Sequence, residues 1–174
     1  MISRETSIII ILLVLLILGA IYMSIYITLY YRVKTWERYL LDLFRKKTSK
    51  IPALIEVMRP LVSKSEAFAP MTRMHTQIMI EEYRSIYDIL ENNARLESEF
   101  LFLMNLSSRI PPLQKHEYFL YIRDFMIDYD LRMRTSLQDI DTSIAMWNRF
   151  ISIKNKTLIW YLLPWSSMAS VKWV

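Results

Sequence analysis

Cysteine is absent from all 174 residues, which removes disulfides, thiolate zinc sites, iron–sulfur clusters and cysteine nucleophiles together. That absence suits a reducing compartment. Glycine occurs once, at Gly19, so no glycine-rich phosphate loop can form and most tight hairpin turns lose their usual residue. Histidine occurs twice. Thr72 and Leu113 stand three positions before His75 and His116, where the Glu-x-x-His pair of a bundle di-metal site needs glutamate. Neither histidine belongs to an HExxH motif, so metal catalysis and bound cofactors are not expected. Alternating strand patterns, internal repeats and low-complexity linkers are also missing.

What is present is apolar. Hydrophobic residues make up 53% of the chain, enough for one core plus an anchor and too short a chain for a second domain. Residues 8–31, IIIILLVLLILGAIYMSIYITLYY, carry no charge. As a helix they extend about 36 Å at roughly 1.5 Å per residue, enough for a hydrocarbon layer of about 30 Å. A cleavable signal peptide is the competing reading, but its apolar part usually covers only about 7–15 residues, and ILGAIYMS is a poor cleavage site. The expectation is a transmembrane helix at 8–31 behind a short extracytoplasmic N-terminus at 1–7.

Charge gives the orientation. Arg4 and Glu5 precede the apolar run, whereas residues 32–50 hold seven basic side chains against two acidic ones. The basic flank belongs inside, which predicts a single-pass protein with its N-terminus outside and its body cytoplasmic. Tyr30, Tyr31, Arg32, Lys34 and Trp36 are the candidate membrane-interface residues. Tyr22, Tyr26 and Tyr30 recur at i, i+4 and i+8, which reads as an interfacial anchor, with a helix-pairing face as the alternative. Residues 51–149 hold 11 basic and 14 acidic side chains, a balance that argues against nucleic acid as a partner.

Residues 32–157 read as a helical body. Leu40, Phe44, Ile51, Leu54, Met58 and Leu61 keep one apolar face; Pro52 falls inside that face and predicts a kink in a single helix, not a boundary between two. A second helix is expected from Pro70, burying Met71, Met74, Ile78, Ile86, Leu90, Leu101 and Met104 and stopping by Pro111 and Pro112. Apolar residues from Phe119 through Ile122, Met126, Tyr129, Met133, Leu137, Ile140, Ile144 and Trp147 to Ile151 average about 3.6 positions apart, predicting one helix of about 40 residues. The fold class is all-α: an N-terminal transmembrane helix followed by an elongated antiparallel bundle of three to four long helices.

Polar residues offer no catalytic constellation. Asp124 and Asp128 share a helix face with Arg123, Arg132 and Arg134 close by, which reads as an ion-paired surface. His116 reads as a solvated first-turn residue, and the eleven methionines as adaptable core packing. The tail, 158–174, combines Trp160, Trp165 and Trp173 with lysine and no acid. Such a tail suits a membrane interface, an end cap or a partner contact; three helices running down, up and down bring it out at the membrane-distal end, which favours the end cap or partner contact.

The basic flank and KKTSKIPALIEVM resemble the LemA family, whose members carry RRxDLIPNLVxxV at the start of a cytoplasmic helical bundle. Lys46 and Lys47 fall on the paired arginines, Ile51 and Pro52 on the Ile-Pro, and Leu54, Ile55 and Glu56 on the residues after it. Further on, Phe119 and Leu120 fall on the family's Phe-Leu, and Trp147 and Asn148 on its Tyr-Asn. Ser49 replaces the motif's acid and Ala53 its asparagine, as in a divergent member. The resemblance covers roughly residues 30–150 and implies a bacterial inner-membrane protein without catalytic residues. The expected function is a non-enzymatic scaffold or interaction protein with protein partners, as a homo-oligomer or in a larger membrane complex. The alternative is an accessory or regulatory subunit of a membrane enzyme, protease or secretion complex.

Overall fold

Six helices, one 3-10 turn and no strand make up the described residues, 4–62, 65–80 and 85–155, of the computed structural model. Helix α1 runs from Arg4 to Thr48, α2 from Ile51 to Met58, α3 from Ala69 to Ile80, α4 from Ile86 to Ser107, α5 from Pro111 to Gln114 and α6 from Glu117 to Asn155. The protein is all-helical, and α1 is the one helix among the described residues that contains a stretch long and apolar enough to cross a membrane. The chain divides into two compact units. Among the described residues, one joins 4–35 with 141–155, and the other is built from 36–140.

In the first unit, every side chain from Ser7 to Ile21 is exposed. An unbroken apolar sequence with no protein to cover it is what a lipid-facing helix looks like. From Tyr22 onward this helix has a partner, the last turns of α6, where Ser143, Ile144, Trp147, Phe150 and Ile151 are buried. Thr28 donates its hydroxyl to the Ser24 carbonyl at 2.9 Å, so that polar group is satisfied within the helix.

In the second unit, the continuation of α1 buries Leu40, Leu43 and Phe44. The expected kinked single helix is corrected here, because a turn at Ser49–Lys50 divides it into α1 and α2; the Ser49 N–H still reaches the Arg45 carbonyl at 2.9 Å, and the regular ladder is lost only after it. Pro52 has no N–H for the Thr48 carbonyl. The Lys50 N–H tightens instead onto the Lys47 carbonyl at 3.3 Å, with Lys50 itself still in helical backbone geometry. The Lys50 ammonium sits 5.0 Å from the Phe125 ring centroid, a cation–π contact that docks the turn on α6. The α2 face that the periodicity marks is buried at Ile51, Leu54, Ile55 and Met58, but Leu61 is exposed and Val62 is buried in its place.

The single second helix also divides. Helix α3 carries Pro70 in its first turn, where proline costs no hydrogen bond. Helix α4 begins at a capping box: the Asp88 N–H donates to Ser85 Oγ at 3.3 Å, and the Ser85 N–H donates to Asp88 Oδ2 at 3.0 Å. Ser85 is extended, with φ −147° and ψ 161°, so α4 starts anew there. Phe100 and Leu103 are buried on it, while Leu101, expected inside, is 58% exposed. Ser85→Ala is expected to cost about 1 kcal/mol and to raise amide exchange in the first turn of α4; unchanged exchange there would count against the cap.

Helix α4 stops at Ser107, ahead of Pro111 and Pro112, which open the single turn of α5. Gln114 Nε2 donates to the Ser107 carbonyl at 3.1 Å. His116 does more than face solvent: its Nδ1 accepts the Phe119 N–H at 3.2 Å and caps α6. Helix α6 buries Phe119, Ile122, Met126, Met133, Ile140, Ile144, Trp147 and Ile151 as its periodicity requires, with Tyr129 and Leu137 half-buried.

Candidate functional site

Lys47 is the largest surprise in the second unit. Its neighbours Arg45 and Lys46 are exposed, and Lys46 pairs with Asp42 at 2.7 Å, but Lys47 is only 1% exposed. Its place near the end of α1 turns it inward among α4 and α6. Lys47 Nζ donates to Asn93 Oδ1 at 2.9 Å and to Asp130 Oδ1 at 2.8 Å. Asn93 Nδ2 donates to the same Asp130 oxygen at 3.1 Å, and Arg134 Nε donates to Asp130 Oδ2 at 2.8 Å. Arg134 reaches on to Glu97 of α4. Three helices thus meet on one carboxylate.

The two charges at its centre respond in the same direction for different reasons. Burial draws the Lys47 ammonium below the ordinary lysine value, against the pull of Asp130. Burial would lift the Asp130 carboxyl, but hydrogen bonds from Lys47, Arg134 and Asn93 together hold it below its ordinary value near 3.8. The carboxylate has several donors; the ammonium has lost its water and gained two oxygens. Because folding lowers the affinity of Asp130 for protons, its contribution to stability is present above about pH 4 and is lost as pH falls through the folded value. Acid unfolding of the second unit is therefore expected to flatten in Asp130→Asn, read by helical circular dichroism against pH; an unchanged acid limb would refute this.

A sealed ammonium has no access to a substrate, so this cluster does not read as catalytic. What it can do is hold the register of α1, α4 and α6, since a one-turn slip of any of them would strand a buried charge. The expected ion-paired surface is also found, with Arg123 on Asp124 at 2.7 Å and Arg132 on Asp128 at 2.8 Å. Among the described residues no group of three or more acidic or histidine side chains is placed to hold a metal ion.

A cavity of about 580 Å³ opens between α2 and α3, lined by Ile51, Pro52, Ile55, Glu56, Arg59, Pro60, Thr72 and His75. Its size falls in the range of small-ligand and peptide-anchor pockets. Burial lowers the proton affinity of the His75 imidazole, so it faces this space neutral at pH 7. Among the described residues Glu56 and Arg59 make no ion pair. Of the motif residues aligned to the family pattern, Pro52 and Glu56 are exposed on this rim, whereas Ile51, Leu54 and Ile55 are buried. Phe119 is buried far along the sequence, with Leu120 and Asn148 half-buried.

In the first unit the tyrosine stripe lies against α6. The Tyr22 and Phe150 rings stack with centroids 4.6 Å apart, Tyr26 lies 5.4 Å from Trp147, and Tyr30 lies 6.3 Å from Trp147. The helix-pairing alternative describes this stripe. Tyr31 and Arg32 stay exposed, Lys34 and Trp36 are half-buried, and Trp36 meets Tyr39 edge-on at 5.8 Å. Trp160, Trp165 and Trp173 lie outside the described residues.

No family model, curated protein or solved structure matches this chain. The function is therefore argued from the residues themselves.

Proposed function

We propose that this chain is a non-enzymatic, membrane-anchored interaction protein, a divergent LemA-like scaffold of the bacterial inner membrane. In this reading α1 spans the bilayer once with its N-terminus outside. The remainder forms an elongated antiparallel bundle, with α1, α4 and α6 as its long helices, that offers binding surface to cytoplasmic proteins. The observation that carries the reading is the apolar stretch of α1, exposed from Ser7 to Ile21 and continuous with a helix whose other end is core. Exposed apolar surface on that scale needs lipid or a partner. The α2–α3 cavity, with Pro52 and Glu56 on its rim, is the concave surface on which a partner side chain would seat. The test is extraction of native membranes at alkaline pH followed by in-cell crosslinking from an exposed cavity-rim position, Glu56. Retention in the pellet and discrete crosslinked protein adducts are expected. Release into the supernatant, or a chain that crosslinks to nothing, would overturn the reading.

A further inference from the structure

The apolar run begins at Ile8, and a hydrocarbon layer of about 30 Å is used up by roughly 20 residues of helix, so its body-side edge falls near Ile27. The α6 contacts lie at and beyond that edge. Trp147 sits against Tyr26, and Phe150 stacks on Tyr22, which is about 8 Å deeper at roughly 1.5 Å per residue. If α1 is in a membrane, the end of α6 must be there too.

The sequence of that end is suited to it. SIAMWNRFISIKN, residues 143–155, holds two charges, Arg149 and Lys154, both cations, and Met146 is 45% exposed beside the buried Trp147. Arg149 and, on α1, Arg32 are exposed and make no ion pair among the described residues. A long side chain whose stem lies along apolar surface while its cation reaches phosphate is the arrangement tolerated at a membrane edge. Tyrosine and tryptophan at the same depth fill the layer where amphipathic rings are most stable.

We propose that the last turns of α6 are a second membrane contact, a helix end held by α1 at the body-side boundary of the hydrocarbon layer, with the Arg149 cation reaching out to the phosphates of anionic lipid. This rests on the reading that α1 spans the bilayer. It moves the membrane edge from the Tyr30–Trp36 segment to the Tyr22–Ile27 segment. It also puts the described end of α6 at the membrane, where the expected parity has the third helix ending away from it.

The natural absence of cysteine makes the test direct. The full chain is reconstituted in vesicles of phosphatidylcholine and phosphatidylglycerol with a single bimane label at Leu15→Cys, Met146→Cys or, as an aqueous reference on charged α4, Arg95→Cys. Quenching by lipids carrying a nitroxide near the headgroup is expected to be several-fold stronger at Met146→Cys than at Arg95→Cys. Adding Arg149→Gln is expected to reduce the extra quenching gained from phosphatidylglycerol over phosphatidylcholine alone. Strong quenching of Leu15→Cys by lipids carrying the nitroxide deep on the acyl chain, with Met146→Cys no different from Arg95→Cys under the headgroup quencher, would overturn the proposal while leaving the anchor intact. No quenching of Leu15→Cys by the acyl-chain nitroxide would overturn the anchor itself.

Discussion

Asp130→Asn is expected to destabilise the second unit by about 3 to 5 kcal/mol, the cost of leaving a buried charge without its counterion. The amide oxygen introduced at this position could still accept from Lys47, but its NH₂ would face Arg134, so one of two cations loses its acceptor. Lys47 cannot escape by turning to water, because it is 1% exposed and its other oxygen partner, Asn93, is neutral. The companion triple variant, Lys47→Met, Asn93→Leu and Asp130→Leu, removes both charges and the buried amide bonded to them, and is expected to regain most of the loss, since apolar packing replaces a buried polar cluster at little or no net cost. Urea unfolding of the full chain in detergent, followed by helical circular dichroism, reads both. A single variant costing under about 1 kcal/mol would show that the pair is screened like a surface bridge.

Trp147→Ala should have a comparable effect on the first unit, about 3 to 5 kcal/mol for emptying a buried indole. Trp147 is buried against two tyrosines of the α1 stripe, Tyr26 and Tyr30, so its loss opens the seam on both turns. Phenylalanine at the same position keeps a ring against Tyr26 and is expected to recover most of the stability. The effect should be local, with faster amide exchange in α6 beyond Asp141 and little change around Lys47. Uniform exchange across both units would instead mean that they unfold as one.

The long helices were readable because periodicity needs no distant partner. Phe119 to Ile151 repeat closely enough to set α6, and Pro111 with Pro112 ends α4 by steric exclusion alone. The division between α3 and α4 was also written locally: Ser85-Ile-Tyr-Asp88 is a capping-box pattern, but the apolar spacing across it suggested continuity. Along α4 the buried stripe runs through Ile86, Leu90, Asn93, Leu96, Phe100 and Leu103, steps of three and four that pass Leu101 by, so Leu101 faces out and Phe100 faces in.

Lys47 was illegible for a different reason. It stands in a run of cations that a membrane flank explains well, and what sets it apart lies elsewhere in the chain, at Asn93 and Asp130. The tyrosine stripe had two local explanations, and only the distant Trp147 and Phe150 favour one of them. Pro52 announced a disturbance but not its kind; the ladder breaks before it, where Lys50 finds the Phe125 ring.

The distance along the chain between Lys47 and Asp130 sets an order of events during synthesis. Asp130 is made 83 residues after Lys47, a delay of roughly 4 to 17 s at about 5–20 residues per second. Throughout it the lysine lacks its carboxylate partner and stays a solvated cation beside Arg45 and Lys46. Only when α6 emerges does it leave that cluster and become the pin between helices. One side chain thus serves the growing chain as a surface charge and the finished protein as an interior one.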